Sequence, residues 1–381
     1  MTNNVLEIGK GYARVVQKPM PSPKSNFVLV KQHITPNCIE HRIYETGFRE
    51  FHECAQSAQL GSKVEVNHTD PCLHAGHEGV GEVVELGAQV TKWNIGDRVV
   101  IFQGWPCGDC YVCEQGLSPT HCINLRIPAD IEAYNNAKSG GNGFCEYRLV
   151  PESMLAKIPD NLSYRHAASA NCLIGCTYSP VRDLNISAEH TCLVGGVGFV
   201  GLATIINLKF RGAKVIVLGR DENRMQAARS LFGVDVVINS EDSDWIEQIC
   251  AHTPDARGVD FAFECSGYPF YQQKCLDALR HYGHLVLLGY AAQEGEDLTW
   301  NLNTERGLSW GHKTISSHFD VNVNHRSDIL LALQDPWMQA QIDKLVTHTI
   351  PMSEAEDAFK MLTNREKAKE FIGKIHFLPG E

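Results

Sequence analysis

Between residues 191 and 319 the chain alternates short apolar blocks with longer amphipathic stretches. The blocks at 191–195, 214–218, 234–238, 259–264 and 284–288 predict strands. The stretches at 224–231, 244–251 and 271–281, and the apolar run ending at Arg211, predict helices between them. Strands and helices in alternation predict a parallel, doubly wound sheet. The flanks read as shorter pieces. Strand-like segments lie at 12–16, 27–34, 81–86 and 144–158, and a helix or helix pair at 163–183. Helical patterns follow at 326–333 and 353–362, with a closing strand at 371–377.

The first of the alternating blocks runs into Gly196-Val197-Gly198-Phe199-Val200-Gly201. Strand, glycine turn, helix, strand is the setting in which Gly-x-Gly-x-x-Gly binds a dinucleotide. Gly196 permits the tight turn, Gly198 lets backbone N–H groups approach a pyrophosphate, and Gly201 lets the helix pack close to the strand. The helix start, with its free N–H groups and positive dipole end, then receives the phosphates. A bare glycine-rich turn is the plainer alternative; the flanking strands weigh against it.

A length of 381 residues suits two or three domains, and 43% hydrophobic with 21% charged residues suits real cores. A formal net charge of -11 disfavours nucleic acid or an anionic membrane as partner, since both demand a basic surface. The most apolar region, 192–208, is broken by glycines and predicts no membrane span. The first ten residues do not read as a secretory leader, so a cytoplasmic protein is expected.

Fourteen cysteines in such a chain point to metal or buried thiols rather than disulfides. Cys107, Cys110 and Cys113, followed by Cys122, can close a tetrahedral zinc site with no open position, the mark of a structural metal. Binding the metal and ordering the loop would then be coupled. Cys122 is the favoured fourth ligand and its neighbour His121 the alternative. His77-Glu78, within a glycine-rich segment, offers an imidazole and a carboxylate suited to zinc, or else a solvated pair. Cys38, at the end of a predicted strand, reads alone as a small buried hydrophobe.

Together these motifs resemble the zinc-dependent medium-chain dehydrogenases/reductases, the alcohol dehydrogenase-like family, over essentially the full length. The segment from Gly76 to Val90 fits that family's zinc signature at every fixed position, and the cysteine lobe and glycine turn follow in its order. The resemblance implies an α/β protein with a GroES-like β catalytic domain at 1–174 and 320–381, with a zinc lobe at about 104–124. It also implies an inserted Rossmann-like coenzyme domain at 175–319, with the active site in the cleft. Cys38, His77 and Cys172 look like ligands of a catalytic zinc, with Glu78 as a further ligand or its support. Cys176 is the competing choice for Cys172. Three protein ligands leave the open position that catalysis requires. Members are mostly dimers or tetramers, which sets the expectation of a homo-oligomer.

Two departures refine this picture. The family usually follows its first cysteine with a proton-passing hydroxyl, and carries a relay histidine a little further on. Here Glu40 stands at the hydroxyl's place and Ile43 at the histidine's. Glu40 is either a general base or a hydrogen-bond partner of a ligand, and His41 is an alternative proton carrier. At the end of the second coenzyme-domain strand, NAD-preferring relatives place an acidic residue. This chain has Gly219-Arg220, with Arg224 nearby, which suits a 2′-phosphate and predicts NADP over NAD. The expected activity is zinc-dependent NAD(P) interconversion of a secondary alcohol or polyol and its carbonyl, with two zincs per chain. C=C reduction, a redox-neutral epimerisation, and a catalytically silent zinc protein are the rivals. The stretch 42–69, with Phe48, Phe51 and His52, is expected to shape the substrate pocket.

Overall fold

The structure is a computed structural model and describes residues 1–47, 75–104, 106–123, 143–289, 300, 302–304, 306–364, 368 and 370–381. Phe48, Phe51 and His52 lie outside the described residues.

The strands are β1 (Thr2–Gly9), β2 (Tyr12–Pro19), β3 (Phe27–Pro36), β4 (Gly79–Leu86), β5 (Arg98–Ile101), β6 (Tyr147–Pro151), β7 (Leu155–Lys157), β8 (Thr191–Gly195), β9 (Lys214–Gly219), β10 (Val236–Asn239), β11 (Val259–Glu264), β12 (Leu279–Leu287), β13 (Thr314–Ser317), β14 (Val346–Pro351) and β15 (Lys374–Leu378). The α-helices are α1 (His41–Thr46), α2 (Tyr111–Glu114), α3 (Tyr164–Ala167), α4 (Ile174–Asp183), α5 (Phe199–Phe210), α6 (Glu222–Ser230), α7 (Trp245–Ala251), α8 (Pro269–Ala278), α9 (Arg326–Ala332), α10 (Pro336–Leu345) and α11 (Ala355–Thr363). The chain divides into two compact units, one of Met1–Cys172, Asp320–Ala368 and Ile372–Glu381, the other of Leu173–Phe319 and Lys369–Phe371.

In the second unit six strands lie in the order β10-β9-β8-β11-β12-β13, every pairing parallel. Numbered from β8, this is the 3-2-1-4-5-6 order of the dinucleotide-binding sheet, and the chain reverses direction of growth between β8 and β11. The glycine turn leaves β8 at that switch point. Central strands buried on both faces must be apolar throughout; all five residues of β8 are buried. Leu193, Ile216, Ala262 and Leu285 share one core with Tyr271, Cys275 and Leu276 of α8.

The helix predicted to run to His281 stops at Ala278, and β12 begins at Leu279. Pairing decides this: Leu279 sits opposite Val259 before the register shifts, and Tyr282 takes a left-handed φ of 57°. The region at 163–183 splits into α3, a 3-10 turn at Ala168–Ala170 and α4, which isolates Cys172 between helical pieces.

In the first unit β3 is the hub, pairing antiparallel with β4, β6 and β15. The register sets Ile34 against Val80, so the chain leaving β3 toward Cys38 lies beside the chain entering β4 from His77 and Glu78. β1, polar in sequence, is not among the strands that the pattern predicts. It pairs with β2, and the buried Asn3 side chain clasps Tyr147 through both its N–H and C=O.

Candidate metal centres and coenzyme turn

The cysteine lobe is held by very little apolar packing: α2 has only four residues, none buried. Its order has to come from elsewhere. Cys107, Cys110, Cys113 and Cys122 bring their sulfurs within 4.8 Å of one another. The Cys107–Cys113, Cys110–Cys113 and Cys110–Cys122 separations are 3.9, 3.6 and 3.8 Å. Four thiolates at about 2.3 Å from one zinc define a tetrahedron of edge about 3.8 Å. The donor set therefore fits a closed zinc site in both chemistry and dimensions. Backbone N–H groups of Cys113 and Ile123 aimed at Cys110 draw its thiol down to about 6. Cys122, rather than His121, is the fourth member; His121 Nδ1 instead meets Thr120 Oγ1 at 3.3 Å.

A second group joins Cys38, His77, Glu78 and Cys172, again with one donor atom from each within 4.8 Å of the others. His77 Nε2 lies 3.1 Å from Cys172 Sγ and 3.8 Å from Glu78 Oε1. Cys176, on α4, is not in the group; its thiol points to the Leu173 carbonyl. Tight backbone fixes the approach of His77. Gly76 has φ of 83°, and a Cβ there would come 2.7 Å from Phe144 N. Gly143 N donates to Gly76 O, Phe144 N to Ala75 O, and the buried Arg148 to the His77 carbonyl.

Glu40 stands behind this group. Its Oε1 lies 2.9 Å from His77 Nδ1, and its Oε2 accepts the Cys38 N–H at 2.8 Å. Burial alone would raise its carboxyl, but the His77 imidazole and the Cys38 N–H overrule that and bring it to about 2. Both oxygens are thus engaged in orienting two of the clustered residues. His41, the first residue of α1, is buried and outside the cluster.

Glu78 is fully buried, and its Oε1 accepts from Lys374 Nζ at 2.7 Å. Lys374 is held charged against its burial by the Glu78 carboxylate. Glu78 Oε2 has no hydrogen-bond partner among the described residues. A buried carboxylate oxygen left unmet is costly, and a carboxylate grouped with two thiols and an imidazole fits a cation. Sequence reasoning missed Lys374: it contacts Glu78 across 296 residues, and nothing local marks it.

The coenzyme turn has the dimensions its glycines imply. A Cβ on Gly201 would sit 1.9 Å from Gly196 O, which only glycine avoids. Gly196 has φ of 91°, and a Cβ on Gly198 would meet nothing within 4 Å, leaving room for a ligand. Val197 is buried, and Phe199 and Val200 open α5 with its first-turn N–H groups. Gly219 ends β9 against Val197, Arg220 is exposed, and Asp221 caps α6 by accepting the Arg224 N–H at 3.0 Å. The Arg224 side chain lies 3.7 Å from the same carboxylate.

Comparison with known proteins identifies the family. A family described as "Alcohol dehydrogenase GroES-like domain" matches residues 51–160, and one described as "Zinc-binding dehydrogenase" matches residues 200–322. A sorbitol dehydrogenase of Halalkalibacterium halodurans is 25% identical over 370 residues, spanning 96% of this chain and 97% of that protein. D-arabitol-phosphate dehydrogenase of Enterococcus avium is 27% identical, over 80% of this chain and 82% of its own. The crystal structure of 2R,3R-butanediol dehydrogenase from Bacillus subtilis shares the fold, with a TM-score of 0.76 at 24% identity over 99% of both chains. The chain belongs to the zinc-dependent medium-chain dehydrogenase family and is an alcohol dehydrogenase-like oxidoreductase.

Proposed function

We propose that this protein is a zinc-dependent NAD(P) oxidoreductase that interconverts a secondary alcohol or polyol and its carbonyl. The carrying observation is the convergence of Cys38, His77, Glu78 and Cys172, a donor set of mixed sulfur, nitrogen and oxygen, in a chain with a second, all-thiol cluster. Two zincs per chain follow, one at each group. Cys38, His77, Glu78 and Cys172 would hold a zinc that would supply Lewis-acid polarisation of a substrate oxygen, and a bound nicotinamide coenzyme would supply the hydride chemistry.

The chain's own residues prepare that chemistry. Glu40 fixes the His77 ring and the Cys38 backbone, the usual task of a carboxylate behind a metal-binding histidine. Lys374 holds Glu78 by Oε1, the oxygen that lies 3.8 Å from His77 Nε2, and Oε2 has no partner among the described residues. At the coenzyme turn, Gly198 and the start of α5 would receive the pyrophosphate. Arg220 takes the place of the ribose-binding carboxylate, and the neighbouring Asp221 is committed to its helix cap. That combination supports NADP over NAD. The sorbitol and arabitol-phosphate relatives support a polyol-like substrate.

The test is direct. The purified protein, with zinc and NADP or NADPH, is offered a panel of polyols, secondary alcohols and ketones while nicotinamide absorbance is followed. Turnover on a polyol or secondary alcohol is expected. No change across the panel, with both zinc and coenzyme shown to be bound, rules the reading out.

A further inference from the structure

Lys374 is not alone on its face of β15. Side chains alternate along a strand, so His376 points the same way as Lys374. Phe377 points the other way, into the core, where it meets Phe144 and Phe359 edge-on. His376 is fully buried, and neither Nδ1 nor Nε2 has a hydrogen-bond partner among the described residues. A neutral imidazole carries one N–H donor and one acceptor. Native interiors rarely leave either unmet.

The same face holds further polar groups. His376 pairs across the sheet with Thr349, whose hydroxyl accepts from Arg165 of α3 at 3.0 Å. α3 therefore covers this face, and the 3-10 turn after it carries the buried Ser169. Ser169 Oγ also lacks a partner among the described residues, as Glu78 Oε2 does. Outward, Arg165 Nε and His166 Nε2 lie 2.9 and 3.2 Å from Asp343 Oδ1 on the half-exposed Asp343 of α10. A polar row thus runs from Glu78 past Lys374 and His376 to the surface.

We propose that ordered water fills the gap around His376, and that this water and the imidazole form a proton-exchange route between the Cys38–His77–Glu78–Cys172 site and the surface at His166 and Asp343. Unmet donors and acceptors on a buried polar face are what structural water satisfies, with two to four contacts per molecule as a rough norm. The groups facing His376 are Lys374 on its own strand and Arg165 and His166 on α3, with Glu78 and Asp343 at the two ends. Burial first, then the nearby cations, holds its pKa well below the ordinary histidine value. A ring that stays neutral can pass a proton along without retaining it, and Lys374 keeps its charge throughout.

This inference rests on the alcohol–carbonyl reading. Oxidation of a secondary alcohol by the oxidised coenzyme gives the ketone, the reduced coenzyme and one proton. The carbinol hydrogen leaves with its electron pair as hydride, and the hydroxyl proton must reach solvent. The position at which relatives carry a relay histidine is here Ile43, which is buried and has no group to hold a proton.

A crystal structure of the zinc-loaded protein at near-atomic resolution is expected to show ordered water within hydrogen-bonding distance of His376; two dry ring nitrogens overturn the proposal whatever the activity. His376→Val, with His376→Gln as the substitute if it fails to fold, is expected to keep its zinc content. Its kcat for oxidation should fall by at least about tenfold, below the roughly 10²–10⁴ of a direct acid–base group. Its solvent deuterium isotope effect should rise while the effect of deuterating the substrate carbon falls. An unchanged rate with unchanged isotope effects overturns the route. A protein inert toward every alcohol refutes the reading of function instead, while the water test still decides for or against hydration.

Discussion

Replacing Glu40 by glutamine separates two roles with different magnitudes. The carboxylate accepts twice, from His77 Nδ1 at 2.9 Å and from the Cys38 N–H at 2.8 Å. A carboxamide keeps one accepting oxygen and turns an NH2 toward the other donor, so one charge-assisted bond is lost in a buried setting. Such a loss costs about 1.5–3 kcal/mol, equivalent to roughly 10–150-fold in binding at 1.36 kcal/mol per decade. Substitutions behind a metal-binding histidine weaken metal affinity by about 10–100-fold, which agrees. Competition against a graded chelator measures this, with the Cys107–Cys110–Cys113–Cys122 zinc as internal control. Glu40→Gln is expected to release the first zinc about 10–100-fold more readily and the control zinc as before. If zinc affinity were unchanged while kcat fell by about 10²–10⁴, Glu40 would be the general base and the orienting role would be wrong.

Other perturbations probe the rest of the molecule. Arg220→Asp should raise KM for NADP by about 10–150-fold, the worth of one charge-assisted contact to phosphate, and improve NAD; steady-state kinetics with both coenzymes reads it, and an unchanged ratio contradicts the assignment. Gly201→Ala places a Cβ 1.9 Å from the Gly196 carbonyl, so coenzyme affinity by fluorescence titration should collapse; near-native affinity would show that the turn relaxes freely. Asp260 accepts from Thr191 N and Arg280 Nε at 2.8 and 2.6 Å, and although burial raises its carboxyl, Arg280 and these bonds hold it below the ordinary value of 3.8. Its stabilisation is therefore present above about pH 4 and lost as pH falls below that. Asp260→Asn should lose about 2–3 kcal/mol at pH 7, with the gap to wild type closing below pH ~4 in urea unfolding; a gap that persists in acid contradicts the assignment.

What could be read from the sequence was whatever local pattern determines. The parallel sheet was legible because buried strands must be apolar and their helices amphipathic, and the glycine turn because its backbone geometry needs glycine at fixed spacing. The four cysteines of the lobe lie within sixteen positions, so their meeting needs only a short loop. Contacts set by tertiary register were not legible. Lys374 reaches Glu78 only because β15 pairs with β3. His376 reads in sequence as one polar residue in an apolar strand, and its burial comes from the face it shares with Lys374. β1 was hidden for the opposite reason: its buried Asn3 satisfies Tyr147 and so looks like surface polarity. Glu40 was found in the sequence, but its two candidate roles differ only in where its oxygens point.

The central claim is that Cys38, His77, Glu78 and Cys172 share one metal ion while the four lobe cysteines share another. Anomalous diffraction at the zinc edge from crystals of the native protein tests this without reference to activity. Two peaks per chain are expected, one centred among four sulfurs at about 2.3 Å and one among Cys38, His77 and Cys172. A single peak confined to the lobe, from protein prepared with zinc present throughout, would contradict the account.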